Sequence, residues 1–140
     1  MSADSPVCVD ACVAVKWVFL EADSFRAVAM LRLWEAEGRA LVVPEFFWAE
    51  AGSAARKRRM RGEVRPETAR AAYLELVAMP IETVPVPWQR AYDIAEALGD
   101  LHLYDACYLA VAESVEAEFW TADGPLVTRA SSLFPWIHLL

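Results

Sequence analysis

Val7-Cys8-Val9-Asp10-Ala11-Cys12-Val13-Ala14-Val15 runs from one apolar segment into another with a single carboxylate between them. Val7 to Ala11 reads as a short strand, uniformly apolar on either side of Asp10 and hence buried on both faces. Cys12 to Leu20 is apolar nearly all round, the pattern of a buried helix. A buried strand feeding a buried helix is the start of a parallel α/β arrangement. The rest of the chain repeats that alternation. Leu41-Val42-Val43, Glu82 to Val86, Glu118 to Thr121 and Trp136 to Leu139 read as further strands, with Pro85 and Pro87 marking the third as an edge or an end. Helices are expected from Asp23 to Glu37, from Pro44 to about Arg61, from Pro66 to about Met79, from Trp88 to Gly99 and from Leu103 to Val115. Pro44 and Pro66 suit helix starts, and Gly38, Gly62 and Gly99 suit helix ends. The expectation is one α/β domain over residues 1–140, a central parallel sheet of about five strands flanked by helices.

The chain is 57% hydrophobic, which provides for a substantial core and excludes disorder. No apolar stretch reaches the ~18 residues of a membrane span. Met1 to Pro6 carries no basic signal region, so a cytoplasmic protein is expected. Cys8, Cys12 and Cys107 are odd in number and lack a framework spacing. They read as small core residues rather than as disulfides or, with His102, as a zinc site. His138 lies in an apolar terminal segment and reads as a strand-edge or core residue.

The net charge of −7 conceals an asymmetry. Arg56 to Arg70 holds seven basic residues against Glu63 and Glu67, a local +5, leaving six basic and eighteen acidic residues, −12, elsewhere. A basic patch on an acidic body suits a focused phosphate contact, not the coating of a duplex.

Four carboxylates stand in apolar surroundings. Asp10 lies at the end of the apolar run Val7-Cys8-Val9 and Asp123 just past the strand ending at Thr121, at the carboxyl ends where α/β sheets bind ligands. Glu50 follows Phe46-Phe47-Trp48-Ala49, and Asp105 opens the apolar run after Tyr104. No Lys or Arg lies within five residues of Asp10, Asp105 or Asp123. Brought together, they would repel by ~4 kcal/mol per close pair at an effective dielectric of ~20. The usual relief is a hard dication, Mg²⁺ or Mn²⁺. Plainer readings exist: Asp105 as a favourable charge at a helix start, Asp123 before Gly124-Pro125 as a turn residue. Asp93 and Asp100 read as a helix surface and a turn.

In a regular helix Lys57 and Arg61 return to within about 20° of the face of Glu50, roughly 10 and 16 Å further along the axis. They are candidates for substrate phosphates, with favourable charge at a helix C-terminus as the alternative. Arg56, Arg58 and Arg59 point elsewhere, to solvent or a partner. Of the tryptophans at 17, 34, 48, 88, 120 and 136, some belong in the core, and an exposed one would mark an interface.

Val9-Asp10-Ala11-Cys12-Val13-Ala14-Val15-Lys16-Trp17, Pro44 to Glu50, Tyr104-Asp105-Ala106-Cys107-Tyr108-Leu109-Ala110 and Thr121-Ala122-Asp123 together resemble the PIN-domain ribonucleases, in particular the VapC-type toxins of toxin–antitoxin pairs. The blocks occur in the family's order over nearly the whole chain. The resemblance implies a PIN-like three-layer sandwich and an Mg²⁺-dependent endoribonuclease, with Mn²⁺ as the alternative ion. Asp10 and Asp105 would be the principal metal ligands, and Glu50 and Asp123 would complete the catalytic and metal-binding set. A metal-activated water would cleave the phosphodiester in line, leaving 5′-phosphate and 3′-hydroxyl ends. Thr121 would hold a water or a carboxylate. Cys12 stands where many relatives carry Ser or Thr, and Ser53 where many carry Asn; both positions would orient ligands. The partners implied are RNA, a cognate antitoxin with a basic arm, and a second copy in a homodimer.

Other classes fit less well. A non-catalytic PIN module binding RNA or a protein is the alternative, opposed by the intact carboxylate set. A phosphatase of the haloacid dehalogenase type needs a second Asp where Cys12 stands. A dinucleotide enzyme lacks its glycine-rich fingerprint.

Overall fold

A computed structural model describes residues 4–140. The elements are β1 (Val7–Val9), α1 (Ala11–Val18), α2 (Ser24–Ala36), β2 (Leu41–Val43), α3 (Phe47–Met60) and α4 (Pro66–Val77), then β3 (Ile81–Thr83), α5 (Trp88–Ala97), α6 (Leu103–Ser114), β4 (Glu118–Thr121), α7 (Gly124–Ala130) and β5 (Ile137–Leu139). The strands form one sheet in the order β3-β2-β1-β4-β5, every pairing parallel. Val7 sits opposite Leu41 on one side and Glu118 on the other, so β1 is the central strand. That position explains why Val7, Cys8 and Val9 are wholly buried. Helices cover the sheet, giving the expected α/β sandwich with its five-stranded parallel centre.

The core gathers β1, β2 and the inner side of α6, where every residue from Ala106 to Ala112 is buried. Trp34 is the tryptophan fully inside; Trp88 is 62% exposed. The three cysteines are free thiols, Cys8 and Cys107 in the core, as expected of small packing residues. His138 stacks on Trp120 at 4.9 Å in the edge strand β5. Among the described residues no helix is long and apolar enough to cross a membrane.

Several boundaries differ from the sequence reading, most by a residue or two: β1 stops at Val9, not Ala11, and Ala11 already opens α1. Pro44 does not open α3; it leads a turn closed by Phe47 N–H donating to Pro44 O at 3.0 Å, and the helix starts at Phe47. The third strand is Ile81–Thr83, a residue earlier and shorter than Glu82 to Val86, because Pro85 and Pro87 have no N–H to extend the ladder. The segment after Asp123 is a helix, α7, and not merely a turn: Asp123 caps it and Pro125 lies in its first turn. At Gly62 the positive φ of 73° ends α3 as anticipated. Tyr73 of α4 donates its hydroxyl to Trp48 O at 2.8 Å, and its ring lies 3.0 Å from where a Cβ on Gly52 would stand. Those contacts fix the tilt of α3, the helix that carries Glu50.

Candidate active site

The carboxyl ends of β1 and β4 are adjacent in the sheet, and the chain leaves each of them through a capped helix. Asp10 N–H donates to Trp120 O at 3.0 Å, tying the two exits together. Asp10 then caps α1, its Oδ1 accepting Cys12 N–H at 3.3 Å. Its Oδ2 accepts the proton of Thr121 Oγ1 at 2.9 Å. Thr121, wholly buried, in turn accepts Asp123 N–H at 3.1 Å, and the Cys12 sulfur lies 3.7 Å from the same oxygen. Cys12 Sγ accepts Ala122 N–H at 3.4 Å. Burial and the Asp10 charge push the Cys12 thiol up to about 12, so it stays protonated and serves this network as a neutral group. Asp123 caps α7 through Oδ1, which accepts Leu126 N–H at 3.1 Å.

Glu50 approaches from the other side, in the first turn of α3, and Asp105 from the first turn of α6. Tyr108, one turn beyond Asp105 and buried, donates its hydroxyl to Glu50 Oε1 at 2.7 Å and accepts Ala11 N–H at 3.3 Å. Its ring is stacked on Phe119 and held edge-on by Phe46, each centroid 5.4 Å away. Burial and the charges of Asp10 and Glu50 push its pKa far up, so the proton given to Glu50 stays on the phenol. The sequence reading did not single out Tyr108. The available signal was a phenol within an apolar helix, whose hydroxyl must find a partner.

Electrostatics place the four carboxylates in one field. Burial raises the pKa of Asp10, the charge of Asp123 adds to it, and the hydrogen bonds from Thr121 and Cys12 oppose it. Burial likewise raises Glu50, reinforced by Asp10 and Asp105 and opposed by Tyr108. Asp105 is raised by burial, then by Asp10 and Asp123, with His102 pulling the other way. Among the described residues no ion pair reaches any of the four. The donors are all oxygens, which suits a hard dication. Among the described residues, however, no three acidic, histidine or cysteine side chains close on a common point as a ready ligand cage. Like charges without a counterion repel, and Asp10 and Glu50 already spend oxygens on Cys12, Thr121 and Tyr108.

Lys57 joins Glu50, Ser53, Phe46 and Tyr104 in lining a cleft of about 420 Å³. Arg61, the exposed C-cap residue of α3, does not line it. Arg58 is turned back onto the protein, pairing with Glu21 at 2.8 Å and lying 4.8 Å above the Phe19 ring. Asp93 is exposed on α5 and Asp100 lies in the bend before α6, as read from the sequence.

Tyr108→Phe would strip Ala11 N–H of its acceptor and Glu50 of its donor. A loss of ~1–3 kcal/mol is expected, read as a lower urea midpoint at unchanged slope. A wild-type midpoint would mean that the hydroxyl ties nothing together.

Residues 7–128 match the family profile described as PIN domain. Among solved structures, PAE2754 from Pyrobaculum aerophilum is similar at 23% identity and a TM-score of 0.69, covering 90% of this chain and 80% of that one. A toxin–antitoxin complex from Klebsiella pneumoniae contains a similar chain at 16% identity and a TM-score of 0.64, covering 94% and 95%. The toxin VapC20 of Mycobacterium tuberculosis, described as cleaving the sarcin–ricin loop, matches at 16% identity and a TM-score of 0.63, covering 87% and 93%. No significant match is found among curated proteins.

Proposed function

We propose that this chain, which belongs to the PIN domain family, is a divalent-metal-dependent endoribonuclease and the toxin of a toxin–antitoxin pair. The observation that carries the reading is the set of carboxylates Asp10, Glu50, Asp105 and Asp123, each at a helix start and none with an ion-pair partner among the described residues, with Asp10 raising the pKa of both Glu50 and Asp105. A bound Mg²⁺ or Mn²⁺ would supply an acidified water and neutralise charge on the phosphate. Asp10 and Asp105 would be its principal holders, with Glu50 and Asp123 completing the set or orienting the water. Thr121 fixes Asp10 by donating to Oδ2, and Tyr108 fixes Glu50 by donating to Oε1. Cys12 supports Thr121 as a neutral thiol, and Ser53 borders the cleft beside Glu50. The deciding experiment compares cleavage of single-stranded RNA with Mg²⁺, with Mn²⁺ and with chelator.

The lack of a closed ligand cage among the described residues favours, as a second reading, a PIN module that binds RNA or a protein without cutting. RNA binding without metal-stimulated cleavage would select it.

Lys57 and Arg61 are assigned to flanking phosphates, Lys57 nearer the carboxylates. Lys57→Ala with Arg61→Ala is expected to reduce the log–log salt slope of single-strand binding by about 0.7 for each phosphate no longer neutralised. An unchanged slope on a cleavage-dead background would return both residues to helix-end electrostatics.

A protein partner fits the same mouth. The similar Klebsiella chain was solved as a toxin–antitoxin complex, and outside Arg56 to Arg70 this chain carries −12. An antitoxin arm presenting Arg would pair with the carboxylates in place of the metal. Replacing that Arg by Ala is expected to restore cleavage while the complex persists. A homodimer is the proposed working form, with exposed Trp88 a candidate contact; sedimentation would determine its mass.

A further inference from the structure

Tyr104 is 61% exposed, although a ring of this size ordinarily covers apolar surface. It is braced rather than loose: Phe46 meets it edge-on at 5.0 Å, and Phe46 is itself packed on buried Tyr108. It shares its cleft with Lys57, Ser53 and Glu50. Lys57 forms no ion pair among the described residues. A braced aromatic ring, a cation and a hydroxyl therefore line one space that reaches a carboxylate of the site. An apolar peptide would leave Lys57 and Ser53 unmatched. A nucleotide matches the ring and the cation together, its base against the one and its phosphate on the other.

We infer that this cleft is a nucleobase subsite: Tyr104 carries an unstacked base of single-stranded RNA, and Lys57 holds the attached phosphate beside the carboxylates. The inference rests on the nuclease reading and extends it to the form of the substrate. A base paired in a duplex has both faces covered, so the subsite selects loops and single strands over helices.

The test uses a short single-stranded RNA carrying 2-aminopurine, and the same strand annealed to its complement, bound to the full chain with Asp10→Asn as the cleavage-dead parent. Tyr104→Ala and Tyr104→Leu are expected to weaken single-strand binding by roughly five- to a hundredfold and to abolish the fluorescence change of the stacked base. Tyr104→Phe should retain both, and the duplex should bind the parent at least about tenfold more weakly. Equal single-strand affinity for Tyr104→Ala and its parent would overturn the inference. So would a loss confined to an antitoxin partner, which would make Tyr104 a protein contact. If the wild type cuts RNA while Tyr104→Ala binds normally, only the subsite is wrong. If the wild type neither binds nor cuts, the nuclease reading fails and the subsite with it.

Discussion

Asp105→Asn is expected to reduce metal-dependent RNA cleavage by about a thousandfold while leaving the protein folded, and Asp10→Asn to do the same. A thousandfold corresponds to ~4 kcal/mol of transition-state stabilisation, the scale on which a metal ligand acts. Asp105 is the cleaner probe: no hydrogen bond holds its carboxylate among the described residues, and its neighbours Asp10 and Asp123 repel it. Asparagine keeps its shape and removes its charge. Asp10 has a double role, since it also caps α1 and accepts from Thr121. Asparagine can still cap the helix through its oxygen, but the NH2 then standing in place of Oδ2 cannot accept the Thr121 proton, so a modest loss of stability accompanies the loss of activity. The assay is single-turnover cleavage by purified wild type and variants at saturating Mg²⁺, alongside circular dichroism. Rates within a few fold of wild type for both variants would place the chemistry elsewhere.

The residues that dictate the fold act locally, which is why so much of it was legible. Val7 to Ala11 reads as a strand buried on both faces, and Val7–Val9 is the central strand of the sheet, Ala11 already belonging to α1. Leu103 to Val115 reads as a buried helix, and α6 ends one residue sooner. The missed element, α7, has seven residues, too few for helical periodicity, and Gly124-Pro125 mimics a turn while equally permitting a helix start. The acidic residues were legible for a related reason: a charge next to core strands has few explanations. What supports them was not. Tyr108 meets Glu50 across 58 residues, and Thr121 meets Asp10 across 111, partnerships that only the parallel sheet creates. Arg58 reads from the sequence as turned to solvent or a partner, because Glu21, its closest partner, lies in another segment.

Divalent ions are expected to stabilise the fold itself, and the gain should vanish with the carboxylates that hold them. The metal-free protein carries Asp10, Glu50 and Asp105 with raised pKa values, so its folded state binds their protons more tightly than the unfolded chain does. These groups favour folding fully below the ordinary carboxylate range. That contribution is lost as the pH rises from there through the raised values, and near neutrality the same carboxylates strain the fold. Asp23, Glu113 and Glu118 shift the opposite way through their partners and strengthen the fold as the pH rises. The two sets partly cancel in the wild-type curve, so the informative quantity is the difference from Asp10→Asn/Asp105→Asn, in which only the first set is altered. That difference should favour the variant increasingly from acid to neutral pH. Mg²⁺ or Mn²⁺ at a hundred times its dissociation constant should then return ~2.7 kcal/mol to the wild type, a rise in midpoint of roughly 9 °C for a domain of this size. The rise should shrink as the pH falls, because a protonated carboxyl does not bind the ion. Thermal scans at matched ionic strength decide the matter without any assay of activity. An equal rise in the double variant would put the ion outside these carboxylates, and no rise in either would leave the acidic mouth to a protein's arginines.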